Sequence, residues 1–218
     1  MVKLILSANA GGVLILGSHR LLIDALHKDK LPGFSTLDRA LQDAVFVHPD
    51  FADPELICMT HQHPDHYSED LLREALTRWP NAQLCLPEAT MLQDDLTLNW
   101  IPLGHEGAQY ATTPHHGLLI TWREKNILIP GDCSVADEAL IKFVDGKTVD
   151  LAILNFPWLT LKKGRECLQN TLKPKKCVFW HLPFADDDCN GYRRSAQAAL
   201  LQYPGQLLCD PLQVIEIE

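Results

Sequence analysis

The chain has 218 residues, 46% of them hydrophobic and 22% charged, with a formal net charge of −9. That composition supports a full core and excludes a disordered chain, and the length suits one large domain over residues 1–218. The chain is acidic and no run of lysine or arginine exceeds two residues, so nucleic acid is not an expected partner, although a local basic patch is compatible with the sequence.

Apolar runs at residues 2–6, 12–16 and 20–23, with Gly17-Ser18-His19 as turn chemistry, predict an antiparallel meander at the start. Residues 28–50 read as a surface excursion containing a short helix near 36–42. Residues 56–59 are a buried strand, and Ser68 then caps an amphipathic helix over 68–79, with Glu69 and Asp70 in its first turn. Strands follow at 83–86 and 98–103, a hairpin at 118–122 and 126–129 joined by Arg123-Glu124-Lys125, and a buried strand at 149–154. A helix near 163–171, a strand at 177–180, a helix over 192–202 and one or two strands in 207–217 complete the chain. Strands in clusters with helices between them predict an α/β (α+β) domain of two sheets with helices outside.

The seven cysteines are odd in number and form no CxxC pair, which suits a reducing compartment better than a disulfide scaffold. The N-terminus reads as a strand rather than a signal peptide, and no window approaches the roughly 18 apolar residues of a membrane span. A cytoplasmic protein with no membrane partner is the expectation; a homo-oligomer is compatible with it.

The chemistry concentrates in Thr60-His61-Gln62-His63-Pro64-Asp65-His66. In an extended loop alternate side chains share a side, so His61 and His63 can converge on one ion. The turn into the following helix would swing Asp65 and His66 towards a second ion. Imidazole and carboxylate donors suit zinc, manganese, nickel or iron without any thiolate.

This HxHxDH spacing after an apolar strand resembles the signature of the metallo-β-lactamase superfamily, closest in style to its small lactonase-like and phosphodiesterase-like members. The resemblance implies a four-layer αββα sandwich. It also implies a third histidine before a later strand, and Thr113-Pro114-His115-His116-Gly117 supplies it. Register favours His116 as the ligand, with His115 as competitor; the other of the two would lie behind the ligands or in the substrate pocket. The Gly-Asp expected after a strand is Gly131-Asp132, with Asp132 bridging two ions, and the last histidine is His181 after residues 177–180. Asp24 would brace the histidine loop by hydrogen bonds, although a plain turn aspartate reads equally well. His19, His27, His48 and His105 match no motif; His27 and His48 are placed at the pocket mouth. Pro157, Trp158, Phe184 and Tyr192 are candidate apolar walls, or simply packed.

The implied ligand set is therefore His61, His63 and His116 on one ion, Asp65, His66 and His181 on the other, and Asp132 shared. The expected cofactor is two divalent ions, zinc first. The expected reaction is hydrolysis of a small ester, lactone, thioester or phosphodiester by hydroxide generated on the ions, with Asp65 as the catalytic group handling the proton. The alternatives are iron-dependent redox or sulfur-oxidising chemistry on the same fold, or a metal-binding member without turnover.

Overall fold

A computed structural model describes residues 1–87, 95–218 and the backbone of 91–93. The first half of the chain runs β1 Val2–Ala8, β2 Gly11–Leu16, β3 His19–Ile23, α1 Arg39–Val47, β4 Leu56–Cys58, α2 Glu69–Arg78, β5 Gln83–Cys85, β6 Met91–Gln93 and β7 Leu96–Leu103. Then come β8 His115–Trp122, β9 Lys125–Ile129, α3 Glu138–Val144, β10 Leu151–Asn155, α4 Pro157–Thr160, α5 Lys162–Cys167, β11 Lys176–Trp180, α6 Tyr192–Ala199, β12 Gln206–Leu207 and β13 Val214–Ile217. The chain divides into two compact units: Met1–Leu86 with His181–Arg193 and Leu208–Glu218, and Pro87–Trp180 with Arg194–Leu207.

The first unit holds a six-stranded mixed sheet ordered β13-β1-β2-β3-β4-β5. Its strands are antiparallel up to β3 and parallel from β3 to β5. Helices α1 and α2 contribute Val45, Phe46, Leu71, Leu72 and Ala75, which pack with Ile5, Val13, Leu22 and Ile57 of the sheet into one apolar cluster. Ser68 caps α2 as the sequence predicts, accepting from the Leu71 N–H, with Glu69 and Asp70 in the first turn. The helix expected near residues 36–42 instead starts at Arg39 and runs to Val47. Asp38 sets that start by accepting from the Leu41 N–H, and Leu41, Val45 and Phe46 then face the cluster.

The second unit holds a seven-stranded mixed sheet ordered β12-β11-β10-β9-β8-β7-β6. Here β6 to β9 are antiparallel and β9 to β12 parallel. Helix α5 continues in π-type turns over Leu168–Leu172 and ends at Lys173 in the left-handed region (φ 44°). Parallel strands aligned side by side bring their C-terminal ends to one edge, the usual place for functional groups in such sheets. In the wider 84–110 segment, residues 88–90 and 94 lie outside the described residues. No described helix is long and apolar enough to cross a membrane.

Candidate metal centre

In the first unit the histidine loop leaves the end of β4 and is gripped by Asp24, just past the end of β3. The Asp24 carboxylate is buried, 1% exposed. Its Oδ1 accepts from the Thr60 N–H at 2.7 Å, and its Oδ2 accepts from the Thr60 hydroxyl at 2.6 Å and from His66 Nδ1 at 3.1 Å. Because the Thr60 proton goes to Asp24, Thr60 Oγ1 accepts from His61 Nδ1, 2.9 Å away. One carboxylate thus places a proton on Nδ1 of both His61 and His66 and leaves Nε2 of each ring as the basic nitrogen. Asp24 itself sits in the left-handed region (φ 48°). The β2 strand passes so close over it that a Cβ at Gly11 would lie 2.1 Å from the Asp24 carbonyl oxygen.

Beyond this grip three donors converge. His66 Nε2 lies 3.1 Å from His181 Nε2, and Asp65 Oδ2 lies 3.5 Å from His181 Nε2 and 3.9 Å from His66 Nε2. Ligands about 2.1 Å from one cation at tetrahedral angles stand roughly 3.4 Å apart, so this triangle has the dimensions of a coordination face. The side chains are buried, His66 completely. The His61 ring is 4.1 Å from that of His66 and 4.7 Å from that of His63, centroid to centroid. His181 follows β11 with φ +60°, a conformation a non-glycine residue holds only when its surroundings enforce it. Its N–H donates to the carbonyl of Asn9 at 3.0 Å.

In the second unit Asp132 follows β9 through Gly131 (φ 59°). Its Oδ1 accepts from Asn155 Nδ2 at 2.5 Å, its backbone N–H donates to His115 Nε2 at 2.9 Å, and its Oδ2 lies 3.7 Å from His105 Nε2. His115, His116 and His105 make different contacts. His115 gives its Nε2 lone pair to a backbone amide. His116 lies with its ring edge-on to Trp100, 6.4 Å between centroids. His105 has a ring nitrogen beside the Asp132 carboxylate. It is held there by backbone pairing: His105 bridges Cys133, and the Glu106 N–H donates to the Asp132 carbonyl at 2.8 Å. Cys133 points elsewhere chemically, since burial and the carboxylates of Asp137 and Asp132 push its thiol well above its ordinary range.

No family model matches the chain, and no curated protein matches it. Solved structures do. The metallo-β-lactamase fold protein YhfI from Bacillus subtilis is 14% identical, with a TM-score of 0.59 over 99% of this chain and 99% of that one. The chain has the metallo-β-lactamase fold. A metallo hydrolase from the archaeon Ignicoccus hospitalis is 15% identical, with a TM-score of 0.62 over 100% of this chain and 99% of that one. The diiron β-hydroxylase CmlA from Streptomyces venezuelae is 12% identical, with a TM-score of 0.59 over 99% of this chain and 54% of that one. The histidine-rich cluster of residues 61–66 fits the HxHxDH type of site that the sequence of this metallo-β-lactamase fold carries.

The two histidines placed at a pocket mouth by sequence have different surroundings. His48 lies at the C-terminal end of α1, where its Nδ1 accepts from the Asp50 N–H at 3.2 Å. His27, placed by sequence at a pocket mouth, is 0% exposed, because the segment after β3 turns inward and sets Nε2 3.3 Å from the Ala8 carbonyl. Burial, reinforced by the nearby His66, holds its pKa down to about 4. The unfolded chain protonates His27 near pH 6.5 while the folded chain resists until about 4. The stability it contributes is therefore whole above pH 6.5 and lost as the pH falls towards 4, by at most about 3 kcal/mol. In metal-free protein, urea unfolding at pH 7.5 and 4.5 should show a smaller acid loss in His27→Gln than in wild type. Equal losses would contradict this account of His27.

Proposed function

We propose that the chain is a metal-dependent hydrolase acting on a small ester, lactone, thioester or phosphodiester. The observation that carries this reading is the buried triangle of Asp65, His66 and His181, with donor atoms 3.1 to 3.9 Å apart. Two imidazoles and a carboxylate offer a divalent ion neutral and anionic donors, and Asp24 pre-sets the His66 tautomer that such binding needs. His61 and His63 are the donors assigned to a second ion, with zinc the first candidate for both positions. When bound, divalent ions would supply Lewis acidity and bring a water towards ionisation near neutral pH. The chain's own residues do the rest: His61 and His66 present fixed nitrogens, and Asp65 takes the proton released on attack and passes it to the leaving group.

In the second unit the proximity of ring nitrogen and carboxylate favours His105, rather than His116, as the histidine that acts with Asp132. His105→Ala is accordingly expected to lower the metal content of the purified protein, and His116→Ala to leave it unchanged. The reverse pattern would restore His116.

Likeness to a diiron β-hydroxylase favours an iron-dependent redox reading as the second choice, since the same donors suit iron. One experiment separates the two. Elemental analysis of purified protein is combined with a panel of esters, lactones, thioesters and phosphodiesters, and with oxygen uptake. Zinc, manganese or nickel with turnover of a panel member supports hydrolysis; iron with oxygen consumption and no hydrolysis replaces it. Protein that takes up no metal ends both readings.

A further inference from the structure

Residues Leu31-Pro32-Gly33-Phe34 form a tight turn in which the Phe34 N–H donates to the Leu31 carbonyl at 3.1 Å. Proline at the second position and glycine at the third with φ +79° make it a type II turn, rigid by composition. The next residue, Ser35, is 0% exposed and clamps the turn in place. Its N–H donates to Asn9 Oδ1 at 2.9 Å, and its hydroxyl donates to Asp187 Oδ2 at 2.8 Å and accepts from the Phe184 N–H at 2.7 Å. Asn9 is buried in the left-handed region (φ 47°), and its carbonyl is the one that receives the His181 N–H. The turn bearing Phe34 and the backbone of His181 are thus fastened to one residue.

The consequence is an ordered aromatic surface beside a candidate metal ligand. The Phe34 ring meets His181 edge-on, 4.8 Å between centroids at 87°, and Tyr192 stacks on Phe34 at 6.1 Å and 27°. Both rings are only half-buried. Rigid aromatic side chains give much contact area for little lost freedom, and flat apolar ligands fit such walls. Lys28 and Lys30 of the same segment pair with Asp70 and Asp187.

We propose that Phe34, backed by Tyr192, determines specificity by selecting substrates whose acyl portion carries a flat aromatic group, so that aryl-acyl esters or lactones are preferred to phosphodiesters and small polar esters. For its turnover this rests on the hydrolytic reading above; for its binding preference it does not.

The test has two arms on zinc-reconstituted protein. Calorimetry compares phenylacetate with acetate as ligands, and kinetics compares their p-nitrophenyl esters, which share one leaving group. Wild type is expected to favour the phenyl member of each pair by roughly tenfold, as burial of one ring implies. Phe34→Ala should reduce both ratios to about one or two, through KM rather than kcat, with zinc content unchanged. Phe34→Leu and Tyr192→Ala should give intermediate ratios, and they carry the test if Phe34→Ala does not fold. Absence of a binding preference in wild type, or its persistence in folded Phe34 variants, overturns the proposal. A binding preference without hydrolysis of these esters or of any member of the ester, lactone, thioester and phosphodiester panel upholds Phe34 and removes the hydrolytic reading.

Discussion

His66→Ala is expected to leave the purified protein with little or no metal in the Asp65–His66–His181 position, and with turnover reduced on the order of 10³-fold or more. The size follows from where the ring sits. It is 0% exposed, its Nε2 stands 3.1 Å from His181 Nε2, and its Nδ1 stands 3.1 Å from Asp24 Oδ2. Alanine removes a donor from the coordination face and disconnects that face from its brace. The fold should survive, because Asp24 keeps its two bonds from Thr60; a loss of about 1–3 kcal/mol is the scale for one buried hydrogen bond and a small void. The control is His48→Ala, at the end of α1, which should retain both metal and turnover. Metal per chain by elemental analysis, kcat/KM on whichever substrate the panel yields, and a urea melt make the comparison. Normal metal content and normal turnover in His66→Ala would sink the assignment.

What could be read in advance, and what could not, divides along the range of the interactions. The apolar run feeding the histidine loop, the Ser68 cap and the α2 helix are local, and their residues announce them. The donors of residues 61–66 are dense enough to stand out without a partner in view. His105 carries no such signal: it is one histidine after Gly104, and what makes it notable is an aspartate met only through the pairing of Glu106 with Asp132. A histidine at the end of an apolar strand, as His181 also is, was the available clue. Asn9 and Ser35 are legible only as turn residues, because their roles lie in contacts to Asp187, Phe184 and His181 far along the chain. The start of α1 shows a smaller gap of the same kind. Thr36 and Asp38 are both acceptable caps by type, and side-chain geometry at Leu41 chooses Asp38.

The most discriminating substitution is Asp24→Asn, because it keeps shape and backbone preference while changing only what the side chain can accept. Asparagine tolerates φ near +48° as well as aspartate does. If Asp24 served merely as a turn residue, the change would be close to neutral. If it sets tautomers, the amide presents an NH₂ group to a site built entirely of donors: the Thr60 N–H, the Thr60 hydroxyl and His66 Nδ1. With the NH₂ in the Oδ2 position, His66 relieves the clash by moving its proton to Nε2, the nitrogen that faces His181. Thr60 then does so by reversing its hydroxyl, which no longer accepts cleanly from His61 Nδ1. With the NH₂ in the Oδ1 position, the clash falls on the Thr60 N–H that anchors the histidine loop. The first flip blocks a metal-facing nitrogen, and the second loosens the loop that carries His61 and His66. Zinc affinity measured by competition with a chromophoric chelator should therefore weaken by about 10- to 100-fold, the range found for groups that orient metal-binding histidines. Unfolding of the metal-free protein should fall by about 1–3 kcal/mol for the unmatched buried donor. Saturating zinc should recover much of the turnover, since Asp65, His66 and His181 all remain. An Asp24→Asn protein that binds zinc as tightly as wild type would show that the carboxylate has no part in preparing the site.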